Sequence, residues 1–335
     1  MRRVFTSLLM LLLVAALLLS GATLWWLNAP MTLRLPPGNT ALDLEIENGT
    51  SANGVAEVVV ASGAQVPVLP LQAWFRFSGQ ARLIKAGSYE LVPGMSPRRL
   101  LNMLVRGEET LKSVTLVEGW AFRQVLEALQ KAEQLTSESQ AQSPEKIMEM
   151  LGRPGIHPEG RFFPDTYTYA KGTSDLALLK RAARAMDRRL DAAWRLRSPD
   201  TPLKSPDEAL VLASIVEKET GKPTDRGQIG GVFTNRLRIG MPLQTDPTVI
   251  YGMGMRFDGN LRKRDLQQDT PYNTYTRTGL PPTPIAMPGK AALLAAVQPA
   301  PTKALYFVSR GDGSSEFSDN LDAHNRAVNK YIRGR

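Results

Sequence analysis

The sequence predicts an α+β protein with an N-terminal transmembrane helix, a small α+β domain and a larger α+β domain behind it. Three observations predict this. Residues 8–27 are uncharged, short strand patterns bounded by Gly and Pro alternate with helical ones after Pro30, and a wholly apolar helix near residue 210 ends abruptly in charge. At 335 residues the chain has room for about two domains and an extension, and 43% hydrophobic content supports real cores.

Arg2 and Arg3 precede the uncharged run. Twenty helical residues span roughly 30 Å, the thickness of a bilayer core. Trp25 and Trp26 close the run, where amphipathic rings favour the interface. The arginines predict a cytoplasmic N-terminus, with the rest of the chain outside the cytoplasm in a single-pass arrangement at the inner membrane. Ser20-Gly21-Ala22 has the small residues of a signal cleavage site, but the apolar stretch continues to Leu27, longer than a usual signal core. A retained anchor over residues 1–28 is the expectation.

Residues 55–60 and 83–92 read as short strands. Ser96-Pro97 opens a helix that Gly107 ends, closing a small α+β unit up to about residue 112. A second helix follows over 122–132, and the Ser- and Gln-rich residues 134–145 read as an exposed loop. A basic amphipathic helix is expected over 174–197. Its arginines invite a nucleic-acid reading, yet a charge run on one helix is more often a solvated face.

Ser205-Pro206-Asp207-Glu208 starts another helix, with Ser205 as cap and Glu208 completing a capping box. Residues 209–216 are apolar on every side, which predicts a buried helix. Glu217-Lys218-Glu219 then follow, and Gly221 with Pro223 stops it. A carboxylate at a helix C-terminus meets the negative end of the dipole, and burial disfavours its charge further; both raise the pKa toward that of a general acid. Local spacing does not separate Glu217 from Glu219, and two surface glutamates following a helix into water fit these letters at least as well.

The formal charge of +9 suits an anionic partner without choosing one. There is no cysteine and only two histidines, His157 and His324, so thiolate chemistry and three-histidine metal sites are excluded. No metal or organic cofactor is expected. Ser143-Pro144-Glu145-Lys146, Ser318-Asp319-Asn320 and Arg277-Thr278-Gly279 imitate the three elements of a penicillin-binding acyltransferase, but in the wrong order.

The residues around the buried helix carry a resemblance. LASIVEKET (212–220), VFTNRLRIGM (232–241), LQTDPTVIYG (243–252), YNTY (272–275), TGLPP (278–282), EGRFFPDTY (159–167) and Glu118-Gly119-Trp120 resemble the endolytic murein transglycosylases, the YceG-like family. The likeness covers most of residues 114–335. It implies that Glu219, the second glutamate of the E-x-E pair, is catalytic, that residues 29–112 form a LysM-like domain, and that residues 113–335 are the transglycosylase domain. Family members often carry a histidine before the Phe-Ser near the C-terminus; this chain has Ser315-Glu316-Phe317-Ser318, so no such role applies.

The activity implied is cleavage of the bond from N-acetylmuramic acid to N-acetylglucosamine in nascent peptidoglycan, leaving 1,6-anhydro ends. One carboxyl suffices if it protonates the leaving oxygen and then takes the proton of the sugar's own 6-hydroxyl. Asn235, Gln244, Asp246, Thr248, Tyr251, Tyr272, Asn273 and Tyr275 are the expected substrate-binding residues, with Glu118 and Asp165 as lesser candidates. Each has a plain structural alternative as a cap, a turn or a half-buried ring. Expected partners are peptidoglycan strands, peptidoglycan synthases (penicillin-binding proteins) and the membrane, but no nucleic acid. A hydrolase using Glu217 or Asp246 as second carboxylate, and a wall-binding scaffold without activity, are the alternatives.

Overall fold

A computed structural model describes residues 2–36, 40–47, 49–108, 111–219 and 222–334, with the backbone alone for 2–8. The chain divides into two compact units, 1–112 and 113–335.

In the first unit, helix α1 (Arg2–Asn28) contains the 20-residue apolar stretch Leu9–Asn28, long enough to cross a membrane. Its leucines from Leu9 to Leu19 stand exposed, whereas Trp26 and Leu27 join the unit's core. Strands β1 (Thr32–Leu33) and β2 (Leu42–Ile46) precede helix α2 (Ala52–Ala61), strand β3 (Ala64–Gln65), helix α3 (Val68–Phe77), strand β4 (Gly87–Leu91) and helix α4 (Pro97–Arg106). β1 pairs antiparallel with β3, and β2 with β4, in register from Leu42 opposite Leu91 to Ile46 opposite Gly87. In β2, buried Leu42, Leu44 and Ile46 alternate with exposed Asp43 and Glu45, the period-2 signature of a half-buried strand. α4 starts at the Ser96 cap and ends at Gly107 in the left-handed region, as the sequence predicts.

The strand expected over 55–60 is instead α2. Ser51 caps it by accepting from the Gly54 amide, and Val55, Ala56 and Val59 fall on one buried helical face. A run of β-branched residues suits a strand only while nothing else decides, and here the cap and the one-sided burial decide. The strand expected over 83–92 is shorter, since residues 81–83 form a 3₁₀ turn before β4.

Strand β5 (Leu111–Thr115) runs through the division at residue 112 and leads to helices α5 (Phe122–Lys131) and α6 (Pro144–Met150) of the second unit, then to its partner strand β6 (Thr166–Ala170). Helices α7 (Asp175–Arg195), α8 (Pro206–Glu219), α9 (Pro223–Arg238), α10 (Asp246–Met253), α11 (Lys263–Gln267) and α12 (Lys290–Val297) follow. Strands β7 (Tyr306–Ser309) and β8 (Ser315–Ser318) pair antiparallel, and helix α13 (Leu321–Tyr331) ends the chain. The 134–145 loop is mostly exposed, but Ser139 is buried, because the fully buried Asp175 carboxylate accepts its amide and its hydroxyl.

α8 is the centre of this unit. Every residue from Ala209 to Val216 is buried, packed among α7, α9, α10 and α12. Ser205 accepts from the Glu208 amide, while the Glu208 carboxylate accepts from Lys204, one residue earlier than a capping box requires. The helix stop expected at Gly221 lies outside the described residues; α9 begins at Pro223.

Candidate active site

The last turn of α8 separates the two glutamates that local sequence leaves alike. Glu217 turns toward the start of α12. Its Oε2 accepts from the Gly289 amide at 2.9 Å, and its Oε1 lies 3.6 Å from the Arg226 guanidinium. The pair's side chains are 6% and 12% exposed, so Glu217 is spent on holding α8, α9 and α12 together. Burial foremost raises its pKa. Lys218 points out, donating to the Gly119 carbonyl.

Glu219 faces the opposite way, toward the segment entering α10. Its Oε1 accepts a short hydrogen bond from the Thr245 hydroxyl, and Oε2 has no hydrogen-bond partner among the described residues. Burial pushes its carboxyl up to about 7, and the Asp246 charge adds to this, while the Thr245 hydroxyl and the Arg236 cation pull against it. The residue as a whole is half-buried, and its carboxyl is largely withdrawn from water.

Thr245 is held with care. Gln244 before it sits at φ +48, the left-handed region that costs a non-glycine residue about 1–3 kcal/mol unless its surroundings hold it there. They do: the Gln244 amide donates to the Thr274 carbonyl at 3.0 Å and the Thr245 amide to the Thr274 hydroxyl at 3.1 Å. The Thr248 hydroxyl donates to the Thr245 carbonyl and lies 2.8 Å from that of Thr274. From the other side, buried Arg236 donates to the Leu243 and Leu305 carbonyls, both at 2.7 Å. One guanidinium thus fixes the segment behind Thr245 and keeps a positive charge near Glu219.

Asp246 and Tyr275 stand beside Glu219, the phenol donating to Asp246 Oδ1 at 2.6 Å. Gln244 is exposed nearby. Tyr251 and Tyr272 belong to a neighbouring cluster. Their rings meet edge to face at 4.9 Å, and the Tyr251 hydroxyl donates to Glu159 at 3.0 Å. The Tyr272 hydroxyl lies 2.7 Å from that of Thr283. Glu159 is 3% exposed and also accepts from the Phe122 amide; burial pushes it up to about 7 as well.

Three expected substrate contacts are turned inward. Asn235 gives its amide hydrogens to the Thr302 and Ala304 carbonyls. Asn273, fully buried, donates to the carbonyls of Leu266 and Gln268 and accepts from the Tyr275 amide. Thr248 is equally buried in the threonine cluster. Asn273 and Thr248 hold loops from within, while half-buried Asn235 also accepts from Arg238 at the surface. Glu118 and Asp165 are exposed, with Glu118 against Gly289. Of the acyltransferase imitation, Ser143 caps α6 and Asn320 caps α13.

Sequence reasoning passed over Thr245, Arg236 and Glu159. Thr245 lies between Gln244 and Asp246 in LQTDPTVIYG, where nothing local marks it. Arg236 and Glu159 lie in VFTNRLRIGM and EGRFFPDTY, but nothing local distinguishes a buried charge from a surface one.

A family model described as the YceG-like family matches residues 44–330. The endolytic murein transglycosylase of Bacillus subtilis (strain 168) is 30% identical over 310 residues, covering 88% of this chain and 85% of that protein. Its namesake in Streptococcus pneumoniae serotype 2 (strain D39) is 29% identical over 286 residues, covering 75% of this chain; the chain spans 51% of that longer protein. The crystal structure of a YceG-like protein from Listeria monocytogenes matches with a TM-score of 0.53 at 28% identity, over 86% of this chain and 99% of that one.

Proposed function

Since this chain belongs to the YceG-like family, we propose that it is a lytic transglycosylase that cuts the N-acetylmuramic acid to N-acetylglucosamine bond within peptidoglycan strands, with Glu219 as its acid and base. The observation that carries this is the Glu219 carboxyl itself. It is poised near neutrality, held by one oxygen and without a hydrogen bond at the other among the described residues.

Protonated Glu219 gives its proton to the glycosidic oxygen as the bond to the muramyl C1 breaks. Positive charge gathers on C1 and the ring oxygen, and the Asp246 carboxylate stabilises it from nearby. The sugar's own 6-hydroxyl attacks C1 and returns its proton to the Glu219 carboxylate, closing the 1,6-anhydro ring. No water is consumed, and Glu219 ends as it began. The Thr245 hydroxyl serves both states, since it donates to a carboxylate and can rotate to accept from an acid. Glycosidases that use water need a second carboxylate. Glu217 is tied to Gly289 and Arg226, which leaves Asp246 as the group a hydrolytic reading would require.

The fold and the anchor complete the proposal. Residues 29–112 are the LysM-like domain, offering a glycan-binding surface, and residues 113–335 are the transglycosylase domain. Helix α1 anchors both to the inner membrane with the chain outside the cytoplasm, where it acts on nascent strands beside peptidoglycan synthases.

The test is mass spectrometry of fragments released from uncrosslinked peptidoglycan by the full chain in detergent, beside Glu219→Gln. Fragments ending in 1,6-anhydro-muramic acid, reduced at least about 10³-fold in the variant, are expected. Ordinary reducing ends would replace this mechanism with hydrolysis through Asp246. No cleavage by the folded wild type would leave a binding role instead.

A further inference from the structure

The basic helix α7 has a face that the proposed reaction does not use. Its apolar side, with Leu178, Ala182, Met186 and Leu190, is buried. On the other side Arg181, Arg184 and Arg188 recur three and four residues apart, so they share one face. With Arg189 they line a groove of about 640 Å³ whose opposite wall is residues 165–167 at the start of β6.

Two of these guanidinium groups are pre-set. Arg181 donates to the Thr168 carbonyl at 2.6 Å and lies 5.8 Å above the Tyr167 ring; Arg189 lies 5.4 Å above Phe163. Arg184 and Arg188 are exposed and have no hydrogen-bond or ion-pair partner among the described residues. The lining holds one acid, Asp165, whose Oδ1 already accepts the Thr166 amide. Asp187 on the same helix is taken by Arg153. Four cations therefore face one carboxylate across a concave space, and a planar guanidinium matches a carboxylate through two parallel hydrogen bonds.

We propose that this groove binds the carboxylate-bearing peptide branch of the muramyl strand, a subsite apart from Glu219 that selects strands still carrying their peptides. This rests on the transglycosylase reading above. The rings in the lining argue against other anions. Phe163 and Tyr167 are buried and covered by arginines, so no aromatic face is left for a nucleic-acid base to stack on. No exposed apolar side chain larger than the methyl of Ala192 rises from the lining to enter a lipid surface.

Two measurements on the full chain in detergent test it. The first compares cutting of peptide-bearing strands with cutting of strands stripped of peptides. The Arg184→Gln/Arg188→Gln double variant is expected to raise KM on peptide-bearing strands about tenfold, the size of losing one or two charge-assisted bonds, with kcat and the stripped-strand kinetics unchanged. An unchanged KM, or equal losses on both substrates, would overturn the proposal. The second is calorimetric titration of a free muramyl tripeptide into Glu219→Gln with and without the double change, which needs no turnover. About tenfold weaker binding without the arginines supports the groove even if the wild type cuts nothing, an outcome that would sink the transglycosylase reading alone. Equal affinity refutes it, as does loss of binding to soluble short-chain phosphatidylglycerol by the same factor, which would make the groove a lipid site.

Discussion

Glu219 is set by burial and by three neighbours of opposite effect, Thr245, Asp246 and Arg236, and this makes its pKa adjustable in both directions. Free enzyme must hold the proton to start the reaction, so kcat/KM falls as pH rises through about 7. Thr245 donates to the carboxylate and lowers its pKa; Thr245→Val therefore moves the alkaline limb to higher pH. Asp246 repels the carboxylate and raises its pKa; Asp246→Asn keeps an acceptor for Tyr275 and moves the limb lower. A pH series of kcat/KM for the two variants checks this, and shifts in the same direction would refute the assignment of Glu219 as the titrating acid. The raised carboxyl itself was legible in part, because an apolar helix ending in Glu217-Lys218-Glu219 puts charge where burial and the dipole resist it. Which glutamate faces Thr245 and Asp246 was not. That depends on Gly289 and Arg226 claiming Glu217 across 72 and 9 positions of sequence respectively, a choice made by packing rather than by local pattern.

Among the elements, the contact of α9 with α12 does most to place Glu219, since both helices pack on α8. Gly230 is the point of closest approach. A Cβ there would lie 2.3 Å from the Ala295 carbonyl oxygen, and that oxygen belongs to a helix backbone that cannot swing aside. At Gly231 it would meet the Ala300 carbonyl at 2.9 Å. Gly230→Ala would ordinarily help a helix; here overpacking outweighs the propensity gain, and a net loss of about 2 kcal/mol is expected. Urea unfolding measures it, and a midpoint equal to or above that of the wild type would show that the helices part freely. Sequence located α4, α7 and α8 through their capping serines, with an amphipathic pattern in α4 and α7 and an all-apolar run in α8. It failed at residues 55–60, where β-branched side chains imitate a strand, and it did not foresee the β7–β8 hairpin. Arg236 reaches from α9 to Leu305 beside that hairpin, so the missed strands and the missed arginine are one omission.

Over the whole molecule, two buried carboxyls tie stability to the pH range in which the proposed reaction runs. Glu159 and Glu219 are each pushed from 4.5 to about 7 on folding. Between those values the native state keeps protons that the unfolded chain has released. Fewer protons on the unfolded chain means stability that is complete below pH 4.5 and falls as pH rises toward 7, by about 1.4 kcal/mol per pH unit for each group. His157 and His324 act in the opposite sense. Burial lowers both, so the unfolded chain binds more protons below 6.5 and their contribution improves as pH rises. The total curve mixes these terms, and the difference between two proteins isolates one of them. Glu159→Gln retains an acceptor for Tyr251 and Phe122 but removes the titration. Relative to the wild type it gains on the order of 3 kcal/mol between pH 4.5 and pH 7.5, read from urea midpoints at each pH. Parallel curves would mean that Glu159 is ionised in the native state below neutrality, and the Tyr251–Glu159 contact would then be an ordinary phenol–carboxylate bond with no hold on the proton.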